Sequence, residues 1–95
     1  MNPNSTGNKP LVSIVMIAYN VEQFIGEAIE SVLAQEVNFQ YELVIGEDCS
    51  TDNTRAIALN YQAKYADKIR VLLHPHNLGL TPNCVATHNA CKGKY

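Results

Sequence analysis

Residues 41–54 read YELVIGEDCSTDNT. The apolar run Leu43-Val44-Ile45 ends at Gly46, two acids follow at Glu47 and Asp48, and a Ser/Thr/Asp/Asn cluster comes next. The pattern predicts a strand that delivers carboxylates to the mouth of a site, with a helix N-terminus beside them. Ionised carboxylates only accept hydrogen bonds, so acids at the carboxyl end of a parallel strand suit a ligand rich in hydroxyls or N–H groups. The same residues also fit a solvated turn in which Asp52 complements a helix dipole.

The neighbouring segments decide how that strand is used. Upstream, Leu11 to Ala18 (LVSIVMIA) is almost continuously apolar and rich in Val and Ile. That composition fits a strand covered on both faces. Phe24, Ile25, Ala28, Ile29, Val32 and Leu33 then recur at helical spacing, which predicts a helix over about Val21 to Gln35 with Asn20 as its N-cap and Gln23 completing a capping box. Glu36 to Gln40 lead back to the sheet.

Downstream of the acids, Ser50 or Thr51 is expected to cap a second helix, running to about Tyr65 with Ile57, Ala58, Tyr61 and Tyr65 inward. Ile69 to Leu73 (IRVLL) reads as a third strand and His74 to Leu80 as a loop. Thr81-Pro82 resembles a cap with proline at the first helical position. A third helix to about Cys91 would bury Cys84, Val85, His88 and Cys91, and Gly93 would stop it.

The order β-α-β-α-β-α with short connections defines an α/β domain with a parallel sheet. Right-handed crossovers give strand order 3-2-1, one half of a doubly wound, three-layer Rossmann-like fold. A complete fold of that kind carries a fourth strand beside the first. The chain therefore reads as a fragment of a longer protein, or as one whose first-strand edge is covered by something else. A bare edge would pair with a second copy or a partner, which gives a noncatalytic interaction module, associating as a homodimer, as a rival reading.

Composition sets further bounds. Ninety-five residues make at most one small domain, and 46% hydrophobic residues suffice for a core. A formal net charge of -2 gives no case for nucleic acid or an anionic membrane. No apolar run is long enough for a membrane span. Residues 1–10 (MNPNSTGNKP) are polar, lack the apolar stretch of a signal peptide and read as a disordered lead-in. The three cysteines, Cys49, Cys84 and Cys91, are odd in number and form no CxxC, so neither a disulfide framework nor a zinc site is expected, and a reducing cytoplasm is the simplest compartment.

The first βα turn, Ala18-Tyr19-Asn20, has no GxGxxG, and the chain has no P-loop lysine motif, which weighs against a dinucleotide or P-loop site. Tyr19 offers a ring to stack on a base. In a 3-2-1 sheet that turn lies beside Asp48, so ring and carboxylate together suit a nucleoside. His74-Pro75-His76 is read as a surface loop rather than a metal site, and His88 as a core histidine.

Five segments resemble the N-terminal part of family 2 glycosyltransferases, inverting enzymes of the GT-A fold: VSIVMIAYN, FIGEAIESVLAQ, YELVIGEDCSTDNT, RVLLHPHNLGL and CKGKY. They keep the family's order of a strand ending in Tyr-Asn, a helix with S-x-L-x-Q, an acidic element, an N-x-G loop and a terminal G-x-Y. Glu47-Asp48 stands where the family usually has Asp-Asp. The resemblance implies that Tyr19 and Asp48 contact the base of a nucleotide-sugar donor, usually a UDP sugar, that Ala18 adds backbone to the pocket, and that Glu47 flanks it. It also implies a glycan or lipid-linked acceptor, and a divalent cation, manganese or magnesium, whose D-x-D ligands are absent from this chain. No catalytic or metal-binding residue is assigned here.

Overall fold

The structure, a computed structural model, describes residues 10–95. The lead-in expected over residues 1–10 falls, apart from Pro10, outside them. Six elements alternate: β1 (Val12–Ala18), α1 (Ile25–Leu33), β2 (Tyr41–Glu47), α2 (Thr54–Lys64), β3 (Ile69–Leu73) and α3 (Leu80–Asn89). The strands are parallel and ordered β1-β2-β3, which is the expected 3-2-1 sheet read from its other edge. In register, Ala18 stands opposite Glu47, and Glu47 opposite Leu73.

The central position of β2 explains its composition. Every residue from Tyr41 to Glu47 is buried, because helices cover both faces. On one face Ala18, Leu43, Ile45 and Ile69 pack against Ile25 and Ile29 of α1 and Ala58 of α2. Burying each such Leu or Ile side chain contributes about 1.5–3 kcal/mol. Ile57, Tyr61 and Tyr65 close over this cluster, as the spacing of α2 leads one to expect.

The other face is covered by α3, and here the chemistry differs from expectation. Asn83 and Thr87 are the buried residues of α3, while Val85 and His88 are exposed and Cys84 and Cys91 only half-buried. The reason lies in Gly46. A Cβ there would run into Thr87 Oγ1 and Asn83 Oδ1, so the missing side chain admits a polar pair. Asn83 Nδ2 donates to the Gly46 carbonyl at 2.9 Å, and Thr87 Oγ1 donates to Asn83 Oδ1 at 2.9 Å. His74 is drawn into the same network. It is buried rather than on a surface loop, with Nε2 2.7 Å from Asn83 Oδ1. That oxygen can only accept, so Nε2 carries the proton.

Two helix starts also move. Asn20 has φ 51°, outside the extended region that an N-cap adopts, and α1 begins five residues later at Ile25. At the head of α2 neither Ser50 nor Thr51 caps the helix; instead Asp52 Oδ1 accepts the Thr54 amide at 2.9 Å, a local turn that Asp side chains favour.

The outer edge of β1 is partly closed. Ser13 N donates to the Tyr95 carbonyl at 2.7 Å, and Tyr95 N donates to the Leu11 carbonyl at 3.0 Å, a parallel bridge. Gly93 makes this approach possible: a Cβ there would lie 2.7 Å from Ser13 N. Its role is thus close passage along β1, four residues beyond the end of α3. Below it, Glu42 Oε2 accepts the Lys92 amide at 2.6 Å and the Ser13 hydroxyl at 2.6 Å, while Arg70 grips Oε1 at 3.0 Å and the Ala90 carbonyl at 2.6 Å.

Candidate functional site

The carboxyl ends of β1 and β2 bring Ala18, Tyr19, Glu47 and Asp48 to one place. Asp48 N donates to the Ala18 carbonyl at 3.0 Å, which locks the two strand ends together. Ala18 is fully buried, so it offers backbone alone. Tyr19 is 42% exposed and leaves its ring at the surface. Three loops frame the site: the turn after β1, residues 48–53, and residues 74–79.

Asp48 is almost buried and faces the N-terminus of α3. Its Oδ1 accepts the Leu78 amide at 2.7 Å and its Oδ2 the Gly79 amide at 2.9 Å. Gly79 has φ 87°, a conformation that glycine adopts freely, and Asn77 Oδ1 also accepts its amide at 2.8 Å. The carboxylate therefore pins the N-x-G loop against the end of β2, with lone pairs left over for a ligand.

Glu47 points the other way, into the protein, and is 0% exposed. Its carboxylate accepts the Cys49 amide at 3.1 Å, the Ser50 amide at 3.2 Å, the Ser50 hydroxyl and Arg55 Nε at 2.8 Å. Arg55 Nη2 continues to the His74 carbonyl at 2.8 Å. The turn that wraps this carboxylate places Cys49 at φ 59°.

Loop 50–53 is sewn to the turn after β1. Asn20 N donates to Ser50 Oγ at 2.9 Å, Thr51 N donates to Asn20 Oδ1 at 2.8 Å, and Val21 N donates to Thr54 Oγ1 at 2.8 Å. Burial works to raise the Asp52 carboxyl, but hydrogen bonds from the Thr54 hydroxyl and from the Thr54 and Glu22 amides outweigh it and hold the group below its ordinary value. A small cavity of about 160 Å³ opens between Asn20, Phe24 and Asp52. Neither Tyr19 nor Asp48 lines it, and it is smaller than a typical ligand pocket of about 300 Å³ or more.

Sequence reasoning found the acids and the aromatic ring but missed Ser50, Arg55, His74 and the bridging use of Asn20. Arg55 carried a readable signal: it sits in the first turn of α2, eight residues after an acid at the end of a buried strand. Asn20 gave none, because a cap and a cross-loop tie use the same side chain.

The donor set does not fit a divalent ion. Glu47 is taken up by four donors, one of them the Arg55 guanidinium, Asp48 accepts one amide on each oxygen, and no group of three or more His, Cys, Asp or Glu side chains is gathered for a metal among the described residues.

The fold is thus a Rossmann-like α/β half domain, with acids rather than glycines at the carboxyl end of its central strand. Residues 13–95 match Glycosyl transferase family 2, and the chain belongs to that family. It is 41% identical over 68 residues to a putative glycosyltransferase, EpsE of Bacillus subtilis, covering 72% of this chain and 24% of the relative. It is 39% identical over 74 residues to a putative teichuronic acid biosynthesis glycosyltransferase, TuaG of the same organism, covering 78% of this chain and 29% of the relative. Among solved structures, a mannosyltransferase from Pyrobaculum calidifontis, in complex with GDP-Man and Mn2+, superposes with a TM-score of 0.71 at 19% identity, over 87% of this chain and 25% of that one. That likeness establishes the fold. The chain spans about a quarter of the length of the relatives it matches.

Proposed function

We propose that this chain forms the nucleoside-binding part of an inverting glycosyltransferase, which moves a sugar from a nucleotide-sugar donor to a glycan or lipid-linked acceptor. The observation that carries the reading is Asp48, an acceptor-only group at the carboxyl end of the central strand, joined through the Ala18 carbonyl to the turn bearing the exposed Tyr19 ring. Glu22, Asp48 and Asp52 make this mouth acidic, Glu47 being buried and paired with Arg55. An acidic mouth repels a diphosphate and favours the uncharged nucleoside end, with the base on Tyr19 and a base N–H or ribose hydroxyl on Asp48. Glu47 flanks the pocket from within, and Ala18 supplies backbone.

The residues here bind and orient; none is assigned to bond making or breaking. The manganese or magnesium ion implied by the resemblance, and consistent with the Mn2+ of the mannosyltransferase complex, would take its ligands from other residues. UDP is the expected nucleotide, and GDP the competitor raised by that complex. No helix among the described residues is long and apolar enough to cross a membrane. The odd number of cysteines supports a reducing cytoplasmic compartment.

Calorimetric titration with UDP, GDP and NAD tests the reading. UDP or GDP should bind, and Asp48→Ala should weaken it by roughly tenfold or more, the value of one charged hydrogen bond. Affinity unchanged in Asp48→Ala would remove Asp48 from the site. A second reading, pairing of two copies through β1, draws on one observation: opposite β2, that strand is bridged only by Tyr95 among the described residues. A concentration-independent monomer in sedimentation would end it.

A further inference from the structure

We infer that Glu47 is the positioning residue of the nucleoside site: it touches no ligand, and it holds both walls of the pocket through one buried carboxylate. The inference rests on the reading under Proposed function.

Glu47 is the residue immediately before Asp48, and its carboxylate is fully buried on the opposite side of the strand. Accepting the Cys49 and Ser50 amides fixes the turn that aims Asp48 at the Leu78 and Gly79 amides. The second wall is reached through Ser50. Its hydroxyl donates to Glu47 Oε2, and Ser50 Oγ in turn accepts the Asn20 amide at 2.9 Å. Asn20 is the residue after Tyr19 and sits at φ 51°, so this bond sets the direction in which the Tyr19 ring leaves β1. Arg55 completes the arrangement by tying the carboxylate to the His74 carbonyl at the head of the N-x-G loop. Four donors converge on Glu47, so the position demands an acceptor on both oxygens more than it demands a given shape.

That distinction yields the test. Glu47→Gln keeps the size but turns an NH2 group toward donors. Glu47→Asp shortens the side chain but still reaches the amides two and three residues on, a turn that Asp makes readily. In UDP titrations, Glu47→Gln should lose about tenfold in affinity and Glu47→Asp less than about threefold. A purely space-filling role gives the reverse order and overturns the inference. In an Asp48→Ala, Tyr19→Leu background, Glu47→Gln should cost less than about a further twofold, because its effect passes through those side chains; a full additional tenfold loss would mean direct contact. If Glu47→Gln does not fold, Ser50→Ala removes the relay to Asn20 and should by itself weaken UDP about threefold or more; unchanged binding counts against the relay. A chain that binds neither UDP nor GDP sinks the functional reading, and amide hydrogen exchange then judges the positioning role alone. Protection of the Asn20 and Gly79 amides should fall about tenfold in Glu47→Gln, and unchanged protection refutes it.

Discussion

Arg55 Nε lies 2.8 Å from Oε1 of Glu47, and that glutamate side chain is wholly buried while the arginine side chain is one-third exposed. An ion pair so placed is worth more when broken than when counted, since loss of the cation strands a buried anion. Water at the partly exposed arginine side chain moderates the loss, so Arg55→Ala should destabilise by about 2 kcal/mol and lower Tm by about 10 °C. Arg55→Lys should recover little, because an ammonium cannot serve Glu47 and the His74 carbonyl in one fork. Thermal melts of the three proteins check this; a Tm within about 2 °C of the parent for Arg55→Ala would show that the carboxylate tolerates the loss.

Gly46 faces the polar pair of α3. Gly46→Ala should cost about 3 kcal/mol or more, since the added methyl meets Asn83 and Thr87 at the sheet surface. Trimming the partners should return part of that loss: Gly46→Ala with Thr87→Ala should be more stable than Gly46→Ala alone, as urea denaturation would report. Independent, additive losses would mean that α3 simply shifts away.

Asn20 separates backbone strain from side-chain bonding. Asn20→Gly keeps the positive φ without penalty but removes the acceptor for Thr51 N. Asn20→Val loses the acceptor and must also force a β-branched residue into the left-handed region. Glycine should therefore cost about 1 kcal/mol and valine at least about 1 kcal/mol more. Equal losses would show that the tie to Thr51 carries the whole effect.

These three positions show what was legible from residues alone. The sheet was readable because β1 and β2 are long apolar runs with helical periodicity between them, and periodicity survives any detail of packing. The acids were readable because they end a buried strand. What escaped were contacts between residues some thirty apart, such as Asn20 with Thr51 and Ser13 with Glu42. The inner face of α3 escaped for a different reason. Its apolar residues invited burial, but a glycine on the facing strand chose Asn83 and Thr87 instead. Glu47 and Asp48 looked like one acidic pair, yet successive strand residues point to opposite sides, and the two carboxylates have different partners.

Glu42 gives the pH dependence a sign. Burial pushes its carboxyl up, but bonds from the Ser13 hydroxyl, the Lys92 amide and the Arg70 guanidinium prevail and hold it below the ordinary value of about 4.5. A carboxyl lowered on folding binds its proton less readily in the native state, so its stabilising effect is complete above the unfolded value and is lost as pH falls through the folded one. The segment that Glu42 holds is the one running along β1, so acid should loosen Gly93 and Tyr95 first. Urea denaturation at pH values from about 3 to 6 should show the parent losing stability more steeply than Glu42→Gln below about pH 4.5. Amide exchange at Tyr95 should accelerate over the same range. Parallel stability curves for the two proteins would mean that Glu42 is no tighter an acid in the folded chain than in the unfolded one.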